Sequence, residues 1–281
     1  MGIKHIGMTP VEIQTLGEGE RNTRQDWVAT EEPLEIRVMD APGAERGYHS
    51  LAVTMRTPGD DLALTAGFLF SEGIVTSSED IIQLEHCVST PEESRGNIVN
   101  VRLANIKKLH IESLSRHVYT SSSCGVCGKA VIETIFHKCS ELPIDDFRIS
   151  RNIIPSLFSH LAEAQEIFST TGGLHATALY SETGELILLR EDVGRHNAMD
   201  KVIGYLLMRK ELPASRTIVL VSGRASFELV QKAILAGIPI MVSIGAPSSL
   251  AVKTARRFNM TLVGFVKGGR FNIYASPERI L

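Results

Sequence analysis

The sequence has few of the residues and patterns that mark secreted or membrane proteins. It contains four cysteines and one tryptophan among 281 residues, and aromatic residues make up 6% of the chain. No apolar run approaches the roughly 20 residues that a membrane-spanning helix needs. The first five residues lack the apolar core of a signal peptide. Few cysteines and no secretory signal predict a protein of the reducing cytoplasm, without a membrane partner.

The chain also has little net charge. Its formal charge is -3, its charged fraction is 22% and its apolar fraction is 43%, values that are ordinary for a globular protein. Such a charge does not attract nucleic acid to the protein as a whole, so no nucleic-acid partner is expected. An anionic ligand must instead meet a local basic patch. The length allows one large domain or two small ones.

Two nucleotide-binding signatures are absent as well. No G-x-x-x-x-G-K-[ST] run exists, which excludes a P-loop NTPase. The glycines of Gly223-Arg224 and of Gly268-Gly269-Arg270 do not form the G-x-G-x-x-G fingerprint of a Rossmann fold.

A pair of cysteines, Cys124 and Cys127, is the most distinctive feature that is present. They lie in a run of small residues that begins at Ser121 and ends at Lys129. Small residues keep a backbone accessible and able to bend. The apolar pattern after Lys129 predicts a helix, with Cys127 near its start and Cys124 in the loop before it. Because a helix N-terminus and a nearby ammonium favour the thiolate, the stretch predicts a reactive sulfur site.

The residues alone leave four interpretations of this pair open. A zinc site needs two more soft ligands, but Cys87 and Cys139 stand singly in apolar segments. A dithiol oxidoreductase usually carries the pair after a strand, whereas here a serine run precedes it. Two buried structural thiols fit poorly with a glycine and serine loop. In a sulfur carrier, one cysteine would hold a persulfide and pass its outer sulfur on.

Hydrophobic patterns predict a smaller N-terminal α+β subdomain over residues 1–118. The first 30 or so residues show no clear period. Alternation of apolar and polar residues predicts strands at 34–38, 49–55 and 97–103. A helix is predicted from Asp60, its expected N-cap, to Gly73, and a short helix at 78–82.

Residues 119–281 are predicted to form an α/β domain. Its last strands are continuous apolar runs, typical of strands that are buried on both faces. Alternating strands and helices predict a layered α/β fold with parallel strands. The predicted strands are 174–180, 186–189, 217–221, 238–244 and 262–266, and the predicted helices are 155–168, 197–208, 227–236 and 248–258.

The loops that follow four of these strands share a composition. Each combines glycine or another small residue with a polar or cationic side chain, over residues 190–197, 222–226, 245–249 and 267–272. Ligands of open α/β sheets gather beyond the carboxyl ends of the strands. Glycine lets backbone N–H groups approach phosphate, and arginine adds forked donors. The loops therefore predict a site for an extended anionic ligand, with ordinary turns and helix caps as the alternative.

Five segments resemble, in order, motifs of the FdhD family, the formate dehydrogenase accessory sulfurtransferases. These segments are residues 122–129, 173–176, 191–201, 222–228 and 245–250, and the resemblance covers the chain from about Arg37 to Tyr274. It implies a three-layer core similar to cytidine deaminases, with a smaller N-terminal subdomain. A zinc deaminase needs H-x-E and a later P-C-x-x-C. Here His175-Ala176-Thr177 has threonine in place of the glutamate and no P-C-x-x-C follows, so neither deaminase chemistry nor zinc is expected.

The resemblance implies a sulfur carrier with Cys124 and Cys127 as its catalytic residues. Cys124 would take sulfur from a cysteine desulfurase, and Cys127 would resolve the persulfide by disulfide formation, assist it or be replaceable. The sulfur would go to the molybdenum cofactor, as bis(molybdopterin guanine dinucleotide), and so to formate dehydrogenase. A homodimer is considered as the assembly. The alternatives are a cofactor chaperone without chemistry and a dithiol oxidoreductase.

The resemblance also implies where this cofactor binds. The family associates an F-x-x-x-G-R segment with it, which corresponds here to Phe265, Val266, Lys267, Gly268, Gly269 and Arg270. The other strand-end loops add Ser222, Arg224 and His196 as candidate ligands of its guanine nucleotide. Phe265 would offer an aromatic face to a guanine or pterin, unless it is buried in its strand.

Overall fold

The computed structural model describes residues 7–17, 19–39, 47–88, 96–105, 139, 141–143 and 146–281. These residues form three β-sheets, six α-helices and two short 3-10 helices. The cysteine pair, the helix predicted after Lys129 and the predicted boundary at residues 118 and 119 lie outside the described residues. No helix in the described part of the chain is long and apolar enough to cross a membrane.

The N-terminal part consists of a hairpin and a four-stranded sheet. β1 (Met8–Gly17) and β2 (Glu20–Ala29) form the antiparallel hairpin. The sheet has the order β4-β3-β6-β5 and consists of β3 (Glu32–Met39), β4 (Tyr48–Arg56), β5 (Ile81–His86) and β6 (Ile98–Leu103). The helix α1 (Asp61–Ser71) follows β4, and a 3-10 helix, Ser78–Asp80, precedes β5. Apolar residues of β3, β4 and β6 pack against α1 and form the core of this subdomain.

A six-stranded sheet forms the centre of the second part. Its order is β12-β11-β10-β9-β7-β8. The strands are β7 (His175–Tyr180), β8 (Leu186–Asp192), β9 (Ile218–Val221), β10 (Ile240–Ser243), β11 (Thr261–Lys267) and β12 (Arg270–Ala275). Only β9, β10 and β11 are mutually parallel neighbours, and every other pair in this sheet is antiparallel. The prediction of parallel strands is wrong for the two ends of the sheet, because tight turns join β7 to β8 and β11 to β12 and leave no room for a crossover.

Helices cover both faces of this sheet. α2 (Ile153–Ala164) covers one face, and α4 (Arg195–Met208), α5 (Phe227–Leu235) and α6 (Ser249–Arg257) cover the other. The short helix α3 (Glu166–Thr171) contacts β2 of the N-terminal hairpin. In β9, Val219 and Val221 pack with α4 to α6, while Ile218 and Leu220 pack on the other face with α2. The fold class predicted from the sequence, a three-layer α/β core with a smaller N-terminal α+β subdomain, is confirmed.

The helices α1 and α4 join the two parts by backbone contact. A Cβ on Gly67 would overlap the carbonyl oxygen of Asp200, and a Cβ on Gly204 would overlap that of Ala63. Glycine is therefore required on both helices at this crossing. Leu207 of α4 completes the apolar core of the N-terminal subdomain.

Several strands and one helix cap differ from the predictions. The hairpin β1–β2, β5 and β12 were not predicted, since these strands are too exposed to show a buried apolar stripe. The predicted helix 155–168 is two helices that meet at Gln165. Asp60 precedes α1 but does not cap it, because its φ of 55° is left-handed and its carboxylate pairs with Arg190 at 3.1 Å.

Candidate functional site

Four strands end at one edge of the central sheet. β8, β9, β10 and β11 run in the same direction, so the loops after them are neighbours, as the sequence predicts. We call residues 193–196, 222–226, 245–248 and 265–270 the strand-end face. Backbone bonds tie these loops together: the N–H of Gly245 donates to the Gly223 carbonyl (3.1 Å), and that of Phe265 to the Gly245 carbonyl (3.2 Å).

Three helices begin at the strand-end face. Ser226 caps α5 by accepting a hydrogen bond from the N–H of Leu229 (3.4 Å), and Ser248 caps α6 through Ala251 (3.2 Å). Gly194 precedes α4, and no side chain in the described part of the chain caps that helix. The N-terminal ends of helices carry partial positive charge, so all three favour an anion at this edge.

Cationic side chains surround these helix ends. Arg224, Lys267 and Arg270 are exposed, whereas Arg195 and His196 are partly buried. His196 Nε2 lies 2.8 Å from the Glu228 carboxylate and 3.4 Å from Ser226 Oγ. The hydrogen bond from His196 lowers the pKa of Glu228, so this carboxylate stays ionised and offsets part of the positive charge.

The turn between β11 and β12 explains the two adjacent glycines of the predicted cofactor segment. Lys267 and Arg270 are directly opposite each other, and Gly268 and Gly269 between them have φ values of 58° and 77°. A two-residue hairpin of this kind needs positive φ at both positions, which glycine adopts without strain. Like charges on opposed strand positions repel. A bound anion would relieve that repulsion between Lys267 and Arg270.

Phe265 has an unusual backbone beside this turn. It is 50% exposed, its φ is 56°, and the register of β11 against β12 shifts between Gly264 and Lys267. Its ring centroid lies 6.5 Å from that of Tyr274. A left-handed conformation costs an ordinary residue about 1–2 kcal/mol. Burial of Phe265 in its strand, the alternative drawn from the sequence, is wrong. A strained backbone conformation beside an exposed ring is compatible with a ligand site.

Behind the strand-end face lies a buried polar network centred on Asp192, which is 0% exposed. One carboxylate oxygen accepts hydrogen bonds from the N–H of Gly194 (2.8 Å) and from Asn197 Nδ2 (3.0 Å). The other lies 2.7 Å from Lys201 Nζ and accepts from the N–H of Thr57 (3.2 Å). A buried carboxylate with a cation and three further donors is fully compensated, so this part of the motif 191–201 is structural.

A second buried ion pair involves the same motif. Lys232 Nζ lies 2.6 and 2.7 Å from the two carboxylate oxygens of Asp200, and the Ser71 hydroxyl donates to one of them (2.8 Å). The motif therefore divides into an inner half that holds α1, α4 and α5 together and an outer half, Arg195 and His196, at the strand-end face.

The profile of the FdhD/NarQ family matches residues 29–281. The chain belongs to the FdhD/NarQ family. A relative from Streptomyces avermitilis is 47% identical over 268 residues, with 94% of this chain and 92% of the relative covered. One from Sulfurisphaera tokodaii is 46% identical over 257 residues, with 91% and 92% covered. Both are named sulfur carrier protein FdhD.

A crystal structure shows the same fold. It is that of a protein from Desulfotalea psychrophila described as a formate dehydrogenase accessory protein, with a TM-score of 0.74 and 26% sequence identity. The alignment covers 98% of this chain and 99% of the other.

The predicted cofactor residues of this FdhD/NarQ chain differ from one another in burial and in contacts. Ser222 Oγ accepts a hydrogen bond from the N–H of Ala176 (2.8 Å) and so helps to hold the loop after β9. Val266 is 3% exposed and its side chain packs in the core, so only its backbone can reach a ligand. The other predicted cofactor residues of the strand-end face are exposed or only partly buried: His196, Arg224, Phe265, Lys267, Gly268, Gly269 and Arg270.

His175 and Arg195 were not predicted as site residues of this FdhD/NarQ chain. His175 begins β7 beside Gly223, where a Cβ would lie 3.5 Å from its Nδ1. Burial lowers the pKa of His175, the charges of Arg195 and His196 lower it further, and Asp192 opposes them. His175 is therefore mainly neutral near pH 7. Both residues fall inside family motifs of the sequence, which is the signal that marks them.

This lowered pKa gives a testable dependence of stability on pH. Because the pKa of His175 is lower in the folded than in the unfolded protein, the unfolded chain binds more protons as the pH falls below about 6.5. The free energy of unfolding therefore falls as the pH drops from about 6.5 to the pKa of His175 in the folded protein. Below that pKa, His175 causes no further loss. We expect His175→Gln to reduce this loss in urea titrations from pH 7.5 to 5. Identical pH profiles of stability for the wild type and His175→Gln would contradict this prediction. His160→Gln, on the surface of α2, is the control and should keep the wild-type profile.

Proposed function

We propose that this protein is a sulfur carrier that passes sulfur from a cysteine desulfurase to the molybdenum cofactor of formate dehydrogenase. One observation carries the proposal: the FdhD/NarQ profile spans residues 29–281, and relatives named sulfur carrier proteins are aligned over nine-tenths of the chain. The chain has a C-x-x-C pair, Cys124 and Cys127, to hold the sulfur.

The first step of this chemistry is a thiol exchange. The Cys124 thiolate attacks the outer sulfur of the persulfide on the desulfurase. The S–S bond of that persulfide breaks, the cysteine of the desulfurase leaves as a thiolate, and Cys124 becomes the persulfide. The outer sulfur moves between two cysteines without net oxidation or reduction.

Release of the sulfur as sulfide needs two electrons, which the second cysteine supplies. The Cys127 sulfur attacks Cys124 Sγ, the outer sulfur leaves as hydrosulfide with the proton of the Cys127 thiol, and the pair becomes a disulfide. A cellular thiol reductant then restores the dithiol. This balance gives Cys127 a defined role as the resolving residue.

The strand-end face supports the binding of the cofactor, as bis(molybdopterin guanine dinucleotide), as the substrate that receives sulfur. Its phosphates fit Lys267, Arg270 and the helix N-termini, because anions bind where backbone N–H groups and cations converge. A guanine or pterin ring fits the exposed face of Phe265, since ring stacking contributes about 1–3 kcal/mol per base. The cofactor itself supplies the metal that takes up the sulfur.

The second candidate function is a cofactor chaperone without sulfur chemistry, because the described residues of the strand-end face already offer an anion cations and three helix N-termini. Incubation with a pyridoxal-phosphate cysteine desulfurase and cysteine separates the two. A sulfur carrier gains one sulfur atom in its intact mass, and a thiol reductant removes it. A chaperone binds GDP more tightly than ADP but gains no sulfur. A dithiol oxidoreductase forms an intramolecular disulfide and gains none either.

Substitution of Phe265 by glycine should change stability and binding in opposite directions. Glycine adopts the φ of 56° without strain, so Phe265→Gly should raise the free energy of unfolding by about 1 kcal/mol. Loss of the ring should weaken GDP binding about 5- to 100-fold. Urea titration and calorimetric GDP titration measure the two effects.

Lys210 provides a matched control for this substitution. It also has a left-handed backbone, with φ 61°, and it is exposed at the C-terminal end of α4. Lys210→Gly should stabilise the protein without changing GDP affinity. Phe265→Tyr should keep the affinity. Unchanged GDP binding by Phe265→Gly would exclude Phe265 as a stacking residue.

A further inference from the structure

Thr57 of the N-terminal subdomain, which is 1% exposed, contacts the strand-end loop after β8. Thr57 uses all its polar groups on elements around this loop. Its N–H donates to Asp192 (3.2 Å), its carbonyl accepts from Lys201 Nζ (2.9 Å), and its hydroxyl accepts from the N–H of Val193 (3.2 Å).

The residues before Thr57 hold the same loop from the other side. Asn197 Nδ2 donates to the Met55 carbonyl (2.8 Å), and the Thr54 hydroxyl donates to Asn197 Oδ1 (3.3 Å). A Cβ on Gly194 would lie 2.9 Å from Asn197 Nδ2, so a side chain at the position before α4 would push Asn197 away from its hydrogen bonds. The last residues of β4 and Thr57 therefore fix both ends of the turn Val193–Gly194.

The same turn determines where the ligand-facing groups lie. Arg195 and His196 follow it directly, and so does the N-terminus of α4, which no described side chain caps. A shift of Gly194 would move the two cationic side chains and the helix end together. The position of this part of the anion site thus depends on a contact between the two subdomains.

We propose that Thr57 is a positioning residue, through which the N-terminal subdomain places Arg195, His196 and the start of α4 for binding of the nucleotide phosphates. The inference rests on the proposed function for the identity of the ligand. It assigns the N-terminal subdomain a part in cofactor binding although none of its described residues belongs to the strand-end face. The hydroxyl of Thr57 is the group to test, because valine replaces it at nearly the same volume.

Thr57→Val should weaken GDP binding about 5- to 10-fold, since one hydrogen bond of about 1 kcal/mol no longer holds the loop. It should also accelerate amide hydrogen exchange at Val193 and Gly194. Thr57→Ser keeps the hydroxyl and should restore both properties. Thr65→Val is the matched control: Thr65 is also fully buried in the N-terminal subdomain, and its hydroxyl donates to the Asp61 carbonyl (2.8 Å) away from the loop.

The two readouts separate the inference from the proposed function. If the wild type binds no GDP, the proposed site fails, and exchange at Val193 and Gly194 alone then decides whether Thr57 positions the loop. Should Thr57→Val not fold, Thr54→Val removes the hydrogen bond from the less buried Thr54 to Asn197 Oδ1, which anchors the same turn, and the same direction of effect is expected. The inference is overturned if the valine variant matches Thr65→Val in both GDP affinity and loop exchange, or if Thr57→Ser restores neither.

Discussion

Alanine at position 124 is expected to abolish the transfer of sulfur. Cys124→Ala should gain no transferable sulfur from a cysteine desulfurase and should not support formate dehydrogenase activity. Cys124 precedes Cys127 in the serine and glycine run of the sequence, a composition from which we expect a loop that a partner protein reaches. The helix predicted after Lys129 would lower the pKa of a thiol at its start and so favours Cys127. We place the persulfide on Cys124 because sulfur must be received from one protein and handed to another acceptor. For both steps we weigh access to the thiol above a lowered thiol pKa.

The companion variants make this result specific. Cys127→Ala should still load sulfur but release it poorly, since no second thiol remains to supply two electrons. Cys139→Ala should load and release as the wild type does, because Cys139 packs against the core. Loading by Cys124→Ala but not by Cys127→Ala would reverse the assignment. Loading and function in both variants would exclude the carrier mechanism.

Alanine at position 270 is expected to cause the largest loss of nucleotide binding. Arg270→Ala should weaken GDP binding by about 1.5–3 kcal/mol, or roughly 10- to 150-fold, if the guanidinium makes a charge-assisted hydrogen bond to a phosphate. The loss should shrink at high salt, because exposed charges are screened. Stability should not fall, since the variant also removes the repulsion between Lys267 and Arg270.

Arg216→Ala is the control for the loss of one surface arginine. Arg216 lies just before β9, at the opposite edge of the sheet, and pairs with Glu182 (2.7 Å) and Asp146 (3.1 Å). It should bind GDP as the wild type does. Isothermal titration with GDP and ADP measures each affinity. Equal binding of the two nucleotides by the wild type, or an unchanged GDP affinity in Arg270→Ala, would count against the site.

The sequence by itself determined most of the central α/β layer. Strands such as β9 and β10 are continuous apolar runs because both of their faces are buried, and this pattern is local and readable. The shared position of the four glycine-rich strand ends could be predicted from the sequence alone, since a layered α/β sheet places such loops at one edge. The motifs around Cys124 and Asp192 were sufficient to indicate the family.

Strand direction and exposed strands required the tertiary structure. The hairpin β1–β2 has no buried stripe, so its ten-residue strands leave no hydrophobic period in the sequence. The antiparallel edge strand β12 follows a two-residue turn, but most of its residues are exposed, so its sequence does not show the apolar pattern of a strand. Pairing with a neighbouring strand, rather than local preference, decides such elements.

Only the tertiary structure showed which polar residues form buried ion pairs and which lie on the strand-end face. Asp192 and Lys201 lie in the same motif as Arg195 and His196, yet the first two are buried against Thr57 and the other two face the strand-end site. Composition cannot separate them, because a buried ion pair and a ligand-binding pair use the same residue types. Burial and the partners that other segments supply make the difference, and these partners lie more than 130 residues away in the sequence.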